Sequence, residues 1–361
     1  MAKETLKVGI IGVGGIALGK HLPALAKRDD VEIVAFCDVL KESARRGAKE
    51  FGSIDAKVFT DYRELIAMEE IDAVYVLTAN HLHAEVTVAA LQAGKHVMCE
   101  KPMATTVEEA KSMMDAAHAS GKILTIGYQN RFRKDSLYLK QACEQGELGH
   151  IYHAKALAVR RRAVPTWGNF LSKEMQGGGP LIDIGTHALD LTLWLMDNYK
   201  PKTVFGATYD YLGKRESFAN AWGPWDPNKY EVEDSVFAMI AFENGATVHL
   251  EASWALNTLD IGEAKTTLYG TLAGADMRDG LRINGEKHGR LYTEIPDLNV
   301  TSRLVGSAVS ENESDVEAAH FIDCIKEHRQ PIVTPEQAYV VTKILAAIYE
   351  SASRREPISL A

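Results

Sequence analysis

Leu6-Lys7-Val8-Gly9-Ile10-Ile11-Gly12-Val13-Gly14-Gly15-Ile16-Ala17 is the stretch on which the fold turns. An apolar run ends in glycines and passes into a helical pattern over 16–27. Gly12, Gly14 and Ala17 fit G-x-G-x-x-[GA] at a strand-to-helix turn. Gly12 permits the tight turn, Gly14 lets the backbone approach a pyrophosphate, and small Ala17 lets helix and strand pack closely. The helix start, with Gly15 and Ile16, then offers free N–H groups and the positive dipole end to phosphate. The next strand, 31–37, closes on Asp38, about 20 residues beyond the turn, where a carboxylate accepts from ribose hydroxyls. Its charge repels a 2′-phosphate, so the expected cofactor is NAD rather than NADP. Lys41, Arg45 and Arg46 lie close enough in sequence to soften that preference.

Outward from the turn, strand-like runs at 58–59, 73–77, 96–99 and 123–126 alternate with helical patterns at 41–51, 62–68, 84–93 and 107–119. Strands spaced by helices imply βαβ units and a parallel sheet. The first domain is therefore a doubly wound dinucleotide-binding domain over 1–126. After Gly127 the rhythm changes. Runs at 151–160, 203–211, 235–242, 246–254 and 265–269 read as strands with few helices between them, and Asn244-Gly245 is a hairpin signal. The second domain, 127–361, is an α/β domain with a large, mostly antiparallel open sheet, closed by helices at 314–328 and 335–354. The segment 213–230, rich in Trp, Pro and Asn, reads as an ordered loop near the site or a subunit contact.

A chain of 361 residues, 46% hydrophobic and 25% charged, suits two soluble globular domains. A net charge of −9 argues against nucleic acid as a partner. The one dense basic run, Arg160-Arg161-Arg162, reads as a solvated strand end, with an anion site as the alternative. Cys37, Cys99, Cys143 and Cys324 form no C-x-x-C pair, so neither a zinc site nor a disulfide framework is indicated, and a reducing cytoplasm fits. His81, His83, His153, His187 and Glu100 lack zinc-motif spacing, and no metal is expected. The stretch 3–26 loosely imitates a leader, but its glycines follow the dinucleotide pattern and Lys20 and His21 interrupt it. No apolar run reaches the roughly 18 residues that span a bilayer.

Two further motifs carry chemistry. Glu100-Lys101-Pro102 follows the strand at 96–99. Gly177-Gly178-Gly179-Pro180-Leu181-Ile182-Asp183-Ile184-Gly185-Thr186-His187 sets Asp183 and His187 four residues apart, on one face of a helix that begins near Pro180. With Thr78-Ala79-Asn80-His81-Leu82-His83 and the glycine turn, these motifs make the chain resemble, over nearly its full length, the Gfo/Idh/MocA oxidoreductase family. That family includes glucose–fructose oxidoreductase and inositol dehydrogenases. The resemblance implies a Rossmann domain followed by an α/β domain whose open sheet makes dimer or tetramer contacts. It places Thr78, Asn80 and His83 beside the cofactor, although Ala79 stands where the family usually has proline. It puts Glu100 and Lys101 at the nicotinamide end, before a proline often preceded by a cis bond, and makes Asp183 and His187 the catalytic pair.

Oxidising a secondary alcohol removes a hydride from carbon and a proton from oxygen. Histidine suits the proton because its pKa lies near neutrality. Lys101 can hold the reacting hydroxyl and stabilise alkoxide character, so the proton acceptor is either His187 or Lys101. Arg131 either reaches substrate or anchors a domain interface. Trp167 either stacks on a sugar ring or packs in a core. Asp190 supports the helix. The expected activity is NAD-dependent oxidation of a ring hydroxyl of a sugar, inositol or related polyol. The alternatives are an NAD-dependent glycosidase that retains its cofactor and a non-catalytic nucleotide-sensing regulator. Intact Lys101, Asp183 and His187 speak against the last.

Overall fold

A computed structural model describes residues 5–216, 219–298 and 312–360. They form two units. One holds the described residues within Met1–Phe132 and Val305–Tyr339, the other those within Arg133–Leu304 and Val340–Ala361.

The first unit is built on six parallel strands: β1 Leu6–Ile11, β2 Val31–Cys37, β3 Lys57–Phe59, β4 Ala73–Val76, β5 His96–Cys99 and β6 Leu124–Ile126. Their order is β3-β2-β1-β4-β5-β6. β4 is buried along its whole length and β1 nearly so, as expected where helices cover both faces of a parallel sheet. β1 pairs with β2 on one side and β4 on the other, so the strand order reverses beside β1. In such sheets ligands bind at the carboxyl ends next to that reversal. Gly12, Asp38, Thr78 and Glu100 all follow the carboxyl ends of their strands.

The helix expected over 16–27 is present in two parts. Ala17–His21 is a wide, π-type turn and Leu22–Leu25 a short α-helix with Pro23 in its first turn. Proline supplies no N–H, so a regular α ladder cannot run through residue 23.

The division of the chain also differs from the sequence reading, which placed all of 127–361 in one domain. The helix Glu313–Glu327 groups with the first unit. Its Ala318, Phe321, Ile322 and Ile325 share a buried cluster with Leu22, Leu25, Tyr75 and Met98. Lys326 pairs with buried Asp30 at 2.6 Å, and Arg28 bonds both Asp30 and Asp323. The apolar stripe of a helix shows that it must be covered, but not which core covers it.

The second unit carries a nine-stranded sheet. Its strands are β7 Ile151–Val159, β8 Pro201–Tyr209, β9 Ser235–Phe242, β10 Thr247–Ser253, β11 Gly262–Gly270, β12 Ala273–Asp276, β13 Arg282–Lys287, β14 Arg290–Glu294 and β15 Ile358–Ser359. The order is β14-β13-β12-β11-β7-β10-β9-β8-β15, antiparallel except for β7 with β10. The hairpin at Asn244-Gly245 joins β9 to β10, with Gly245 at φ +84°. The helix Thr186–Met196 packs against β7 and β11 and is buried on every side except at Met196. Elements absent from the sequence reading include the helix Lys134–Glu144, the short, half-buried strand β12 and the largely exposed strands β13 and β14.

Candidate active site

The glycine turn is fixed by sterics on one side and open on the other. Gly12 has φ +90°, and a Cβ there would lie 2.5 Å from Leu77 O and 2.9 Å from Thr78 N. A Cβ on Gly14 or Gly15 would meet nothing within 4 Å. Asp38 braces this turn: one carboxylate oxygen accepts from Val13 N and the other from Leu40 N, both at 2.8 Å. Each oxygen keeps a lone pair for a ribose hydroxyl. Thr78 Oγ1 is buried without a hydrogen-bond partner among the described residues. Val39 and Leu40 present exposed apolar side chains beside Asp38, and Ile16 does so beside the glycines. An open phosphate approach, a ribose acceptor, an apolar flank and an orphaned hydroxyl together fit a dinucleotide.

Glu100 and His83, expected as cofactor contacts, also brace the neighbouring loops. The buried Glu100 carboxylate accepts from Lys20 Nζ at 2.8 Å, His21 Nε2 at 2.7 Å and Lys101 N at 3.0 Å. Burial opposes its charge, yet Lys20 and His21 hold the carboxyl well below the usual range. Lys20 also pairs with Glu317 Oε2 at 3.1 Å, and burial pushes the Glu317 carboxyl up to about 7. His83 is 1% exposed, with Nδ1 at 2.8 Å from Pro102 O and Nε2 at 3.1 Å from Thr78 O. Burial lowers its pKa, and a neutral ring has one N–H, best aimed at the nearer Pro102 carbonyl. His83 thus ties the loop after β4 to the loop after β5, where the Lys101–Pro102 bond is cis. Lys101 and Asn80 are partly exposed, the latter opening the short turn Asn80–Leu82.

In the second unit another glycine turn is packed just as closely. A Cβ on Gly178 would collide with the Tyr349 hydroxyl, and one on Gly179 with the Glu233 carbonyl. The buried Glu233 carboxylate accepts from Gly179 N at 3.0 Å, Leu181 N at 3.2 Å and Tyr349 OH at 2.8 Å. From there the chain passes through a wide turn, Leu181–Gly185, into Thr186–Met196. Such π-type turns recur at functional sites. Asp183 lies in the wide turn, and His187, 7% exposed, is the second residue of the helix. Asp183 Oδ2 accepts from Trp254 Nε1 at 3.0 Å, with Arg160 Nη1 3.7 Å away. Arg160 in turn grips Glu263 with two bonds of 2.7 and 2.6 Å. It is therefore no solvated strand end. Asp190 is fully buried.

Arg131 does not reach outward. It is fully buried, and its guanidinium donates to Ile332 O at 2.9 Å and Gln337 Oε1 at 2.6 Å, so it anchors the C-terminal segment of its own unit. Trp167 is 51% exposed and stands edge-on to Trp222. Lys20, Glu317, Glu233, Tyr349 and Trp254 escaped the sequence reading, because each acts on a motif far away in the chain and none belongs to one.

Residues 6–128 match the model of the "Oxidoreductase family, NAD-binding Rossmann fold", and residues 136–276 that of the "GFO/IDH/MocA C-terminal domain". The chain is 37% identical to a D-glucoside 3-dehydrogenase of Escherichia coli K12, over 100% of this chain and 99% of that protein. It is 32% identical to an inositol 2-dehydrogenase of Salmonella typhimurium LT2, over 56% and 58% respectively. A levoglucosan dehydrogenase solved with NADH and levoglucosan superposes with a TM-score of 0.83 at 25% identity, covering 99% of this chain and 100% of that one.

Proposed function

Since the chain belongs to the Gfo/Idh/MocA oxidoreductase family, we propose that it oxidises a secondary ring hydroxyl of a sugar or cyclic polyol with NAD. The observation that carries this reading is the held carboxylate of Asp183, bonded by Trp254 and set one helical turn before His187. Family relatives named for glucoside, inositol and levoglucosan oxidation support the substrate class.

NAD, when bound, supplies the hydride acceptor. Gly12, Gly14, Gly15 and Ile16 form the turn that would hold its pyrophosphate, Asp38 would take the ribose, and Thr78 and Asn80 line the loop beside it. Glu100 and His83 serve by fixing the loops on which Lys101 and Thr78 sit. Lys101 holds the reacting oxygen and stabilises its developing charge. His187 accepts the hydroxyl proton, and Asp183 orients substrate or imidazole. Trp254 and Arg160 keep that carboxylate in one rotamer.

The same proposal includes a homodimer or homotetramer assembled through the open sheet, in the cytoplasm. Phe205 on β8 lies directly opposite Met239 on β9, and both are exposed; Tyr209 and Tyr211 extend the apolar patch. Contiguous exposed apolar surface of this kind marks contact sites. The four cysteines are free, which suits a reducing compartment.

NADH absorbance, with a panel of aldoses, inositols and glycosides, tests the reading. NADH formation with one class supports it and names the class. Lys101→Met and His187→Asn, with NAD binding measured separately, should both lose turnover while retaining cofactor. Retained turnover in either variant removes that residue from the mechanism.

A further inference from the structure

The second unit carries an aromatic structure that the oxidation of a single sugar ring does not require. Trp167 and Trp222 are 51% and 42% exposed, with ring centroids 4.9 Å apart and planes at 82°. They are not loose side chains. Thr166 Oγ1 donates to Trp222 O at 2.7 Å. The Asn220 side chain accepts from Val164 N at 2.8 Å and donates to Val164 O at 3.0 Å and Gly223 O at 2.8 Å. Ala221 N donates to Arg162 O at 3.1 Å. The chain leading into Trp167 is thus stitched to the loop bearing Trp222.

Two lines of contact lead from this pair to Asp183. Along one, Trp167 meets Phe170 at 5.8 Å, Phe170 meets Trp254 at 6.2 Å, and Trp254 bonds Asp183. Along the other, the Arg160 guanidinium lies over the Trp222 ring at 5.3 Å and approaches Asp183 to 3.7 Å. Arg160 is already gripped by Glu263, so the pair offers flat apolar faces rather than an anion site.

Large apolar rings held rigid in water forgo favourable burial unless something covers them. Indole faces suit a ring whose faces are rich in C–H or π density, and they lose little entropy on binding. Resting on the dehydrogenase reading, we infer that Trp167 and Trp222 form a subsite for the aglycone of a glycoside. The substrate is then a sugar carrying a second ring, either another pyranose or an aromatic group, rather than a free aldose.

Steady-state NADH formation with methyl glucosides, phenyl glucosides and glucosyl disaccharides of both anomers tests this. The wild type should favour a ring aglycone over methyl by about tenfold or more in kcat/KM, the equivalent of about 1.4 kcal/mol of stacking. Trp167→Ala and Trp222→Ala should bring the ring-to-methyl ratio down toward one, and Trp222→Phe should keep most of it. The phenyl and disaccharide arms separate an aromatic aglycone from a sugar one. Binding of phenyl glucoside in the presence of NADH, followed calorimetrically, reads the subsite without turnover and should weaken by a similar factor in the alanine variants. An unchanged ratio and unchanged binding would overturn the subsite. So would a change of oligomeric mass in Trp222→Ala with the ratio intact, which would assign the pair to a second copy of the chain. If no sugar or glycoside yields NADH while phenyl glucoside still binds through the pair, the dehydrogenase reading fails and the subsite stands.

Discussion

Substituting Glu317→Gln should make the first unit more stable at pH 8 and leave it nearly unchanged at pH 4.5. Glu317 lies on the helix Glu313–Glu327, buried against Lys20, whose ammonium already pairs with Glu100 at 2.8 Å. Glu100 and Glu313 add negative charge, and Tyr75 is a further buried neighbour. One cation facing two buried carboxylates ionises the better-solvated one first. Glu100 wins, because His21 and Lys101 N also donate to it. Glu317 is left with burial against it, and its carboxyl rises to about 7 from 4.5.

The sign follows from proton counts. Between pH 4.5 and 7 the unfolded chain has lost this proton and the native chain keeps it, so stability falls as pH rises and the loss is complete above about 7. At about 1.4 kcal/mol per pKa unit, the deficit grows to about 3 kcal/mol by pH 8. Glutamine cannot ionise, so the variant escapes it. All five tryptophans lie in the second unit, which rules out their fluorescence as the reporter. Hydrogen exchange of the β1 and β4 amides, variant against wild type at each pH, reads the right region. A protonated-carboxyl infrared band at pH 6, missing from the variant, would identify the group. A variant less stable than wild type at pH 8, with the deficit vanishing below pH 4.5, would refute the reasoning. That pattern belongs to a carboxylate stabilised in its charged form.

Asp38→Asn keeps one acceptor oxygen but loses the charge, and it should raise the KM for NAD about 10- to 100-fold relative to that for NADP. Equal effects on both cofactors would leave Asp38 as a brace for Val13 and Leu40 only. Trp254→Phe removes the N–H that holds Asp183, and kcat should fall about 10- to 100-fold while NAD affinity stays the same; calorimetric titration and turnover on one preparation decide it. Phe205→Lys, opposite Met239, should reduce the molar mass seen by light scattering, and an unchanged mass would move the subunit contact elsewhere.

The first sheet was legible because its signals are local. Parallel strands buried on both faces read as apolar runs, and the helices Lys41–Phe51 and Val107–Ser120 announce themselves by periodicity. Gly12 was legible because only a residue without Cβ clears Leu77. The Asn244-Gly245 hairpin was equally plain. By contrast, β13, with the sequence Arg-Ile-Asn-Gly-Glu-Lys, is mostly exposed and polar, and its single buried apolar residue, Ile283, is too little to set an alternation. The partners of Arg131 lie some 200 positions away, so the sequence left substrate contact and anchoring equally open, and only burial decides between them. Arg160 was misread for the same reason. A triple-arginine run looks like a wet surface until Glu263 and Asp183 are seen beside it.

The two glycine turns are held in the same way. In both a carboxylate from elsewhere accepts a backbone N–H: Asp38 from Val13, and Glu233 from Gly179 and Leu181. Turns leave backbone donors outside regular ladders, and a charged acceptor is the strongest way to satisfy them. Glycines make the turns sterically possible, but they do not select one conformation, because glycine is the most permissive residue. The carboxylates supply that selection. At the approach to Asp183 the acceptor is buried and further tied by Tyr349; Glu100, beside Lys101, is buried too and tied by Lys20 and His21. The motif glycines and the distant acids are therefore two halves of one device, and losing an acid should damage the same step as crowding its glycine.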